Sequence, residues 1–304
     1  MKILKLLLLF ILVIILSSCS QPGIKINDDI LDKKQAKEMK INTDLIHFDD
    51  FELEKNSDWL IPDSLDDEDI TGDGSYNVEQ EKNMELEKTF IDKMKDKKSY
   101  IDGMNLVLNK NNFSVFWNKN KGKVYLYDDE KESLQFLLDT DIFERSLEEA
   151  IQEGKAFFRI NANKEHLHLA NEDYLYQFDH QGRQTQTRRI PEGFKILTLE
   201  ENLAVLAKEG KLYIYLYSKD SITHVFEDEY FLHYYRDYLI LQKASEIYLI
   251  DFQNNKKYYH QEIDMEDMHL RIFPISHKMR ILDKGVIDGI GEAPRVYKIN
   301  LPKS

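Results

Sequence analysis

A recurring two-strand pattern in the middle of the chain most constrains its fold. In three places a leucine is followed six residues later by an aliphatic residue with a tyrosine directly after it: Leu169 with Leu175-Tyr176, Leu206 with Leu212-Tyr213, and Leu241 with Ile247-Tyr248. Apolar and polar residues alternate on both sides of a short polar break, which is typical of β-hairpins. The units lie 37 and 35 residues apart. The pattern predicts an all-β fold built from repeated antiparallel hairpins.

Two less regular units flank these three. Phe116-Trp117 precedes Val124-Tyr125-Leu126-Tyr127, and Ile281-Leu282 precedes Val296-Tyr297. The spacing of about 35–50 residues is typical of one four-stranded blade of a β-propeller. Residues 105–302 resemble the degenerate Leu-Tyr-x-Phe-Asp repeats of bacterial extracytoplasmic propellers. The resemblance implies a β-propeller-like domain over residues 101–304, and another antiparallel sandwich or barrel is the alternative.

Two helices are predicted beside the strands. The first covers residues 79–100, where Leu86, Phe90 and Met94 recur every four residues and Ile91 widens the stripe, so it should pack on the β domain. The second, from Leu147 to Glu153, follows a capping box at Ser146 within residues 133–155, which interrupt the strand pattern.

The first nineteen residues carry a separate signal. Lys2 and Lys5 precede eleven apolar residues that end at Leu16. This run is too short for a hydrocarbon core of about 30 Å, so residues 1–18 are predicted to be a signal peptide. Leu16-Ser17-Ser18-Cys19 resembles the lipobox of bacterial lipoproteins. The resemblance implies lipidation at Cys19 and an extracytoplasmic protein anchored in the bacterial cell membrane or outer membrane; a buried N-terminal helix or ordinary secretion are the alternatives.

The region after Cys19 is strongly acidic. Residues 44–81 contain fourteen Asp or Glu and a single Lys. Like charges repel and stay solvated, so residues 19–78 are predicted to be a lipid-anchored acidic tether or linker. Four large apolar residues within it are candidates for docking on a folded neighbour: Phe48, Phe51, Trp59 and Leu60.

One part of this acidic region resembles the start of a calcium loop. Oxygen-bearing side chains occupy every second position around the turn at Gly74, at Asp69, Thr71, Asp73, Ser75 and Asn77. Calcium takes six to eight oxygen ligands, which suits alternating carboxylates. Thr71 and Gln80 depart from the EF-hand pattern. A shorter calcium loop ending at Asn77 and a plain acidic turn both remain open, and no other cofactor is predicted.

The charge of the chain restricts its partners. The formal net charge is -14, and loss of Lys2 and Lys5 with the signal peptide would make it more negative by two. Binding to nucleic acid or to anionic lipid headgroups depends on Lys and Arg, so neither is predicted. Attachment to a membrane must therefore come from the lipid. Cys19 is the only cysteine, so an intrachain disulfide is impossible.

Three groups of side chains are candidates for chemistry in the β domain. His166 and His168 lie two apart on a strand and share a face, so the pair could hold zinc or copper or could simply be outward polar residues. No third ligand is identifiable nearby in the sequence, although His180 could approach through the hairpin. A tyrosine face at Tyr213, Tyr215 and Tyr217 suits sugar stacking or burial between sheets. Arg188-Arg189 is predicted to be a solvated loop pair.

The sequence favours binding over catalysis. It contains no Gly-x-Ser-x-Gly or His-Glu-x-x-His motif and no phosphate-cradling glycine loop. We therefore expect a cell-envelope lipoprotein that acts as a non-enzymatic binding or scaffolding module for an envelope protein or glycan. One alternative is a propeller enzyme, a glycoside hydrolase or lyase, acting on envelope or extracellular carbohydrate through paired carboxylates. Another is a subunit of an envelope assembly machine.

Overall fold

The structure is a computed structural model that describes most of the chain. The described residues are 25–27, 36–54, 58–63, 75–94, 102–118, 120–139, 159–227, 230–235, 238–243, 246–260, 271–275, 278–282 and 296–301. They form five β-sheets and one α-helix.

Five short strands lie in the N-terminal region that the sequence predicts to be a linker. They are β1 (Lys25–Asn27), β2 (Lys37–Glu38), β3 (Lys40–His47), β4 (Glu52–Glu54) and β5 (Leu60–Asp63). A 3-10 turn, Phe48–Asp50, separates β3 from β4. The described residues from Lys25 to Asp63, which comprise these strands, this turn and the residues that flank them, are termed the belt. Helix α1 (Ser75–Lys93) follows.

The remaining strands form four antiparallel meanders of four strands and one of three, termed blades 1 to 5. Blade 1 contains β6 (Met104–Lys110), β7 (Phe113–Asn118), β8 (Lys123–Asp128) and β9 (Ser133–Asp139). Blade 2 contains β10 (Arg159–Ala162), β11 (Leu167–Ala170), β12 (Tyr174–Phe178) and β13 (Gln184–Arg189). Blade 3 contains β14 (Lys195–Leu199), β15 (Leu203–Lys208), β16 (Lys211–Leu216) and β17 (Ser221–Phe226). Blade 4 contains β18 (Tyr230–Tyr235), β19 (Tyr238–Lys243), β20 (Glu246–Asp251) and β21 (Lys256–His260), and blade 5 contains β22 (Arg271–Ile275), β23 (Lys278–Leu282) and β24 (Val296–Ile299).

Each belt strand pairs with the last strand of one blade. Strands β1 to β4 run parallel to β9, β13, β17 and β21 in turn. Strand β5 pairs antiparallel with β24 and gives blade 5 its fourth strand. The prediction of a solvated linker over residues 19–78 is therefore wrong for the belt, and the β-domain begins well before residue 101.

Backbone pairing and a few large side chains hold the belt on the blades. The Met39 N–H donates to the carbonyl oxygen of Arg189 (2.9 Å), and the Asn300 N–H donates to that of Trp59 (2.7 Å). The acidic side chains need no burial, because the pairing uses the main chain. The predicted docking residues are all buried, which confirms that part of the sequence analysis: Phe48, Phe51, Trp59 and Leu60.

Neighbouring blades pack face to face through apolar clusters. Val124 of blade 1 packs in one cluster with Leu169 of blade 2, and the same blade-to-blade packing recurs along the series. Leu206 and Leu241 are buried between sheets, whereas Leu212 is only half-buried. The two-residue turn Glu209-Gly210 joins β15 to β16 with positive φ at both residues (52° and 79°), as a type I′ hairpin requires. The predicted all-β, propeller-like fold is confirmed.

Helix α1 lies between the first and last blades. It contacts β6 and β22. Phe90 and Met94 are buried, and the Phe90 ring stacks on Phe116 with centroids 4.1 Å apart. The predicted packing of this helix on the β domain is thus confirmed, although it begins four residues earlier than predicted. Ile91 does not widen the buried stripe, since it is 40% exposed.

Two other predictions concern the region after β8. The predicted interruption at residues 133–155 is wrong at its start, because Ser133–Asp139 forms the fourth strand of blade 1. The predicted helix from Leu147 to Glu153 lies outside the described residues. Across the described residues no helix has the length and apolarity needed to cross a bilayer.

Candidate functional site

A cavity of about 650 Å³ lies between blades 2, 3 and 4. It is on the face of the blades that carries the loops after their first and third strands. Its polar lining comes from four such loops and two strands: Asn163, Glu165, His166, His168, Gln177, Asn202, Ser218, Lys219 and Gln253. Polar groups from three blades therefore converge on one recess, as they do in ligand sites.

A buried histidine forms one wall of this cavity. His168 in β11 is 2% exposed, and its ring stacks on that of Tyr217 with centroids 3.9 Å apart and 15° between the planes. Tyr217 directly follows β16. The stacked pair therefore joins blade 2 to blade 3 at the edge of the cavity.

Asn163 fixes which nitrogen of this imidazole carries the proton. Its Oδ1 accepts hydrogen bonds from the backbone N–H groups of Glu165 (2.9 Å) and His166 (2.8 Å). Its Nδ2 is then the donor, to the carbonyl oxygen of Glu201 (3.0 Å) and towards Nε2 of His168 (3.4 Å). Because Nε2 accepts, the neutral ring carries its proton on Nδ1.

Burial keeps His168 uncharged. Desolvation, with a smaller contribution from repulsion by His166, lowers the pKa of His168 from 6.5 to about 3. The imidazole is therefore a fixed hydrogen-bonding group at neutral pH. A general base working near neutrality needs a pKa close to that pH, so His168 is poorly suited to such a role.

A second cavity of about 390 Å³ shares His166 and Gln177 with the first. It extends outward along β13, past Arg188, to Lys37 of the belt. The two cavities together are termed the groove. The groove runs from the loops of blades 3 and 4 to the outer edge of blade 2, so its outer end depends on the belt.

An ion pair supports the middle of the groove. Arg188 donates through Nε to Oδ1 of Asp220 (2.6 Å) and through Nη2 to Oδ2, and the Tyr215 hydroxyl donates to Oδ1 (2.5 Å). Burial raises the pKa of Asp220, but hydrogen bonds from Arg188 and Tyr215 outweigh it, so the pKa is lowered. The prediction that Arg188-Arg189 is a solvated loop pair is wrong in its loop, because both residues lie in β13. Arg189 is exposed as predicted, whereas the Arg188 side chain is only 15% exposed.

The structure separates the three histidines that the sequence offers as metal ligands. The rings of His166 and His168 lie 6.3 Å apart. His180 Nε2 instead lies 3.0 Å from the Lys164 carbonyl oxygen, and its ring stacks on Phe113 at 4.2 Å. The interpretation of His168 as an outward polar residue is also wrong, since the side chain is buried. In the described ranges no group of three or more His, Cys, Asp or Glu side chains is placed to hold a metal ion.

The tyrosine-rich strand β16 is packed on both faces. Tyr213, Tyr215 and Tyr217 belong to the cluster between blades 2 and 3. Leu212, Ile214 and Leu216 belong to the cluster between blades 3 and 4. The prediction of burial between sheets is confirmed for this strand. Of its tyrosine face only Tyr217, directly beyond the end of the strand, lines the cavity.

Most of the predicted lipidation and calcium residues lie outside the described part of the chain. Cys19, Asp69, Thr71 and Asp73 lie outside the described residues. Ser75 and Asn77 lie in the first turn of α1. Lipidation at Cys19 and calcium binding at these five residues both stay predictions.

Two polar side chains that shape the groove, Asn163 and Asp220, were not predicted from the sequence. A local signal exists for Asn163: it precedes a Glu-His pair by two and three residues, and its side chain accepts from their N–H groups in an Asx-type turn. No local signal exists for Asp220. Its partner Arg188 is 32 residues away in the preceding blade, so the pair is visible only after the blades are stacked.

Comparisons with known proteins give limited similarity. No protein family matches the sequence, and no characterised protein resembles it at a significant level. Among solved structures, PorZ of Porphyromonas gingivalis, a bacterial surface component of the type-IX secretion system, aligns with a TM-score of 0.35 and 12% identity over 60% of this chain and 27% of that protein. Hsv2 of Kluyveromyces lactis aligns with a TM-score of 0.34 and 13% identity over 59% of this chain and 58% of its own. The chain thus spans less than two thirds of either protein, and the fold assignment rests on the strand topology.

Proposed function

We propose that this chain is a lipid-anchored, extracytoplasmic binding module whose ligand sits in the groove across blades 2, 3 and 4. The observation that carries the proposal is the fixed hydrogen-bonding wall made by Asn163, His168 and Tyr217. Each of these side chains is held by its neighbours before any ligand arrives. Preorganised polar groups in a recess favour binding, because little ordering remains to be done when the ligand enters.

The charges in the groove favour binding over glycoside hydrolysis. Hydrolysis of a glycoside normally needs two carboxyl groups about 5–10 Å apart. Among the described residues that line the groove, Glu165 is the only carboxylate, and its side chain is 84% exposed. The neutral His168 adds no acid or base with a pKa near neutrality.

A variant that fills the groove tests the binding function. Ser218 is exposed and lines the inner cavity, so Ser218→Trp should block it without disturbing the core. Glu172→Trp is a matched control, because Glu172 is exposed in the β11–β12 turn on the opposite face. Tagged wild type, Ser218→Trp and Glu172→Trp are each used to capture components from solubilised envelope and from a glycan array. We expect wild type and Glu172→Trp to retain a shared ligand that Ser218→Trp loses; identical retention by all three would refute a ligand site in the groove.

The location of the protein is a separate part of the proposal and rests on Leu16-Ser17-Ser18-Cys19. Cys19→Ala should abolish lipidation and release the protein from the membrane fraction. Cells are labelled with a fatty-acid analogue and fractionated. Equal label on wild type and variant would overturn the lipid anchor, and would leave the groove proposal intact because the two rest on different residues.

A further inference from the structure

We infer that the ligand of the groove carries an oxyanion, a carboxylate or a phosphate, recognised by lysines at the two ends of the groove. The inference rests on the proposed binding function and specifies the chemistry of the ligand. It comes from the contrast between the local charge of the groove and the acidic chain that surrounds it.

Two lysines border the groove without a carboxylate partner. Lys219 lines the inner cavity and Lys37 the outer one, and both are exposed. Within the part of the chain that is described, neither lysine has an acidic oxygen within ion-pair distance. Six other lysines do form ion pairs there: Lys93, Lys110, Lys131, Lys211, Lys243 and Lys256. In a chain with 55 acidic and 41 basic residues, cations left without a carboxylate partner at a recess are available for an anion.

The other charges at the groove do not cancel these lysines. Arg188 is compensated by its two-pronged contact with Asp220, so this pair contributes little net charge. Glu165 is the one acid of the lining, and its carboxylate lies 4.0 Å from Nδ1 of His166 with most of its surface in solvent. Acids outside the lining act weakly on a ligand from which they lie more than about 8–10 Å away, because salt screens exposed charges over that distance. Among the described residues that line the groove, the uncompensated charges are therefore the two lysines, Lys37 and Lys219, against the exposed Glu165.

Uncharged donors complete a site for an oxyanion. His168 and Gln177 both belong to the lining, and each has a donor, the Nδ1–H of the imidazole and the side-chain amide. Oxygen atoms of carboxylates and phosphates accept from such donors and from ammonium groups at once. A neutral polar ligand would use the donors but would leave both lysines unused.

Binding of three small probes to the full chain tests the inference. Inorganic phosphate and glucuronate carry the two oxyanions, and glucose is the neutral counterpart of glucuronate. Each is titrated into wild type, Lys219→Gln, Lys37→Gln and the control Lys195→Gln by calorimetry and by chemical-shift changes. Lys195 is exposed at the start of β14, away from the groove.

We expect saturable binding of at least one anion, weaker binding of glucose, and a loss of affinity with rising salt. Each groove variant should weaken anion binding by about threefold to tenfold, as expected for one exposed charge contact, and Lys195→Gln should match wild type. Binding of glucuronate alone, of phosphate alone or of both identifies the source of the oxyanion and supports the inference in each case.

Three results would overturn the inference. They are the absence of saturable binding for both anions, binding of glucose as tight as that of the tighter-binding anion, and equal effects of Lys219→Gln and Lys195→Gln on the affinity for the anion that binds. If Ser218→Trp still loses the ligand captured by wild type, the binding function stands and only the oxyanion is wrong. If Ser218→Trp retains that ligand as well, both proposals fail.

Discussion

Strands β16 and β3 lie in the same sheet but are held there in opposite ways. Strand β16 is apolar on both faces and packs between blades 2 and 4, so its side chains fix its place. Strand β3 is largely exposed and runs along the outer edge of β17. The comparison teaches that a strand can be specified by its own side chains or by an unpaired edge that another part of the chain provides.

The unpaired main-chain groups at the edge of each blade explain why an acidic segment of the chain forms strands there. The last strand of each meander presents unpaired N–H and C=O groups, which attract other chains if left open. The belt satisfies them in parallel register at four blades, for example with Ser221 opposite Lys40 and Ile222 opposite Ile41, and in antiparallel register at blade 5. Acidic side chains such as those of Asp44 and Glu52 are exposed and discourage a further strand from pairing outside it. The belt thus pairs with the last strand of all five blades, although few of its side chains are buried.

Removing the belt should have the largest effect on the fold. A protein comprising residues 64–304 loses the outer strand of every sheet and the buried side chains of Phe51 and Trp59. We expect it to show no cooperative thermal transition, whereas a matched protein of residues 25–304 should unfold like residues 20–304. If residues 64–304 unfolded cooperatively within a few degrees of the longer proteins, the blades would fold without the belt. The belt would then contribute little to stability.

Single truncations in one cluster compare the two kinds of strand directly. Phe51 of the belt and Leu241 of blade 4 are both buried in the cluster between blades 3 and 4. Each change to Ala should lower the free energy of unfolding by about 2–5 kcal/mol, from lost transfer energy and the cavity left behind. Urea denaturation measures both. If Phe51→Ala cost less than about 1 kcal/mol while Leu241→Ala cost the expected amount, the belt would not share the core.

Acid should lower the free energy of unfolding through two buried histidines. His224 lies next to the belt, and His168 lies away from it. Burial is the main cause that lowers the pKa of both histidines below the value of 6.5 that they have in the unfolded chain. The pKa of His224, whose ring stacks on Phe51, falls to about 4, and that of His168 falls to about 3. The unfolded chain therefore binds more protons between these values and pH 6.5. Stability that is present above pH 6.5 is lost as the pH falls, at up to about 1.4 kcal/mol per pH unit for each histidine.

Urea denaturation of wild type and His168→Gln between pH 4 and 7 checks this dependence. The variant should show a shallower fall in the free energy of unfolding than wild type across the interval. Parallel curves for the two proteins would mean that His168 is protonated equally in the folded and unfolded states.

The smallest effect is expected on the outer face of the belt. Ile41 is 46% exposed, so Ile41→Ser should change the free energy of unfolding by less than about 0.5 kcal/mol. Its contribution to pairing is made by the main chain, which the substitution leaves in place. A loss of 2 kcal/mol or more in urea denaturation would show, instead, that belt side chains are specified as strictly as those of β16.

The repeat-encoded blades were predictable because their evidence is local. Alternating residues such as those of β16, and a turn such as Glu209-Gly210, determine a hairpin from neighbouring positions. The belt was not predictable in the same way, because its charges indicate solvation and its partners are distant; Lys40 pairs with Ser221. Only the large apolar side chains, such as Phe51, gave a local sign that this region docks.

The groove was predictable only in part, for the same reason. His168 could be named as a candidate, but its burial depends on Tyr217, which belongs to the next repeat unit. The same holds for Lys37 and Lys219, which come to one groove from the belt and from blade 3. Local patterns identify strands, whereas the site arises from loops that the stacking of blades brings together.

Hydrogen exchange across the belt tests the central claim most directly. The amide groups of residues 40–47 are compared with those of 211–216 in the full-length protein under native conditions. If the belt is an integral strand, we expect the amides of β3 that bond to β17 to be protected from exchange well beyond the rate of an unfolded peptide. Exchange of the whole 40–47 segment at the unfolded rate, while 211–216 stays protected, would show that the acidic segment is a tether after all.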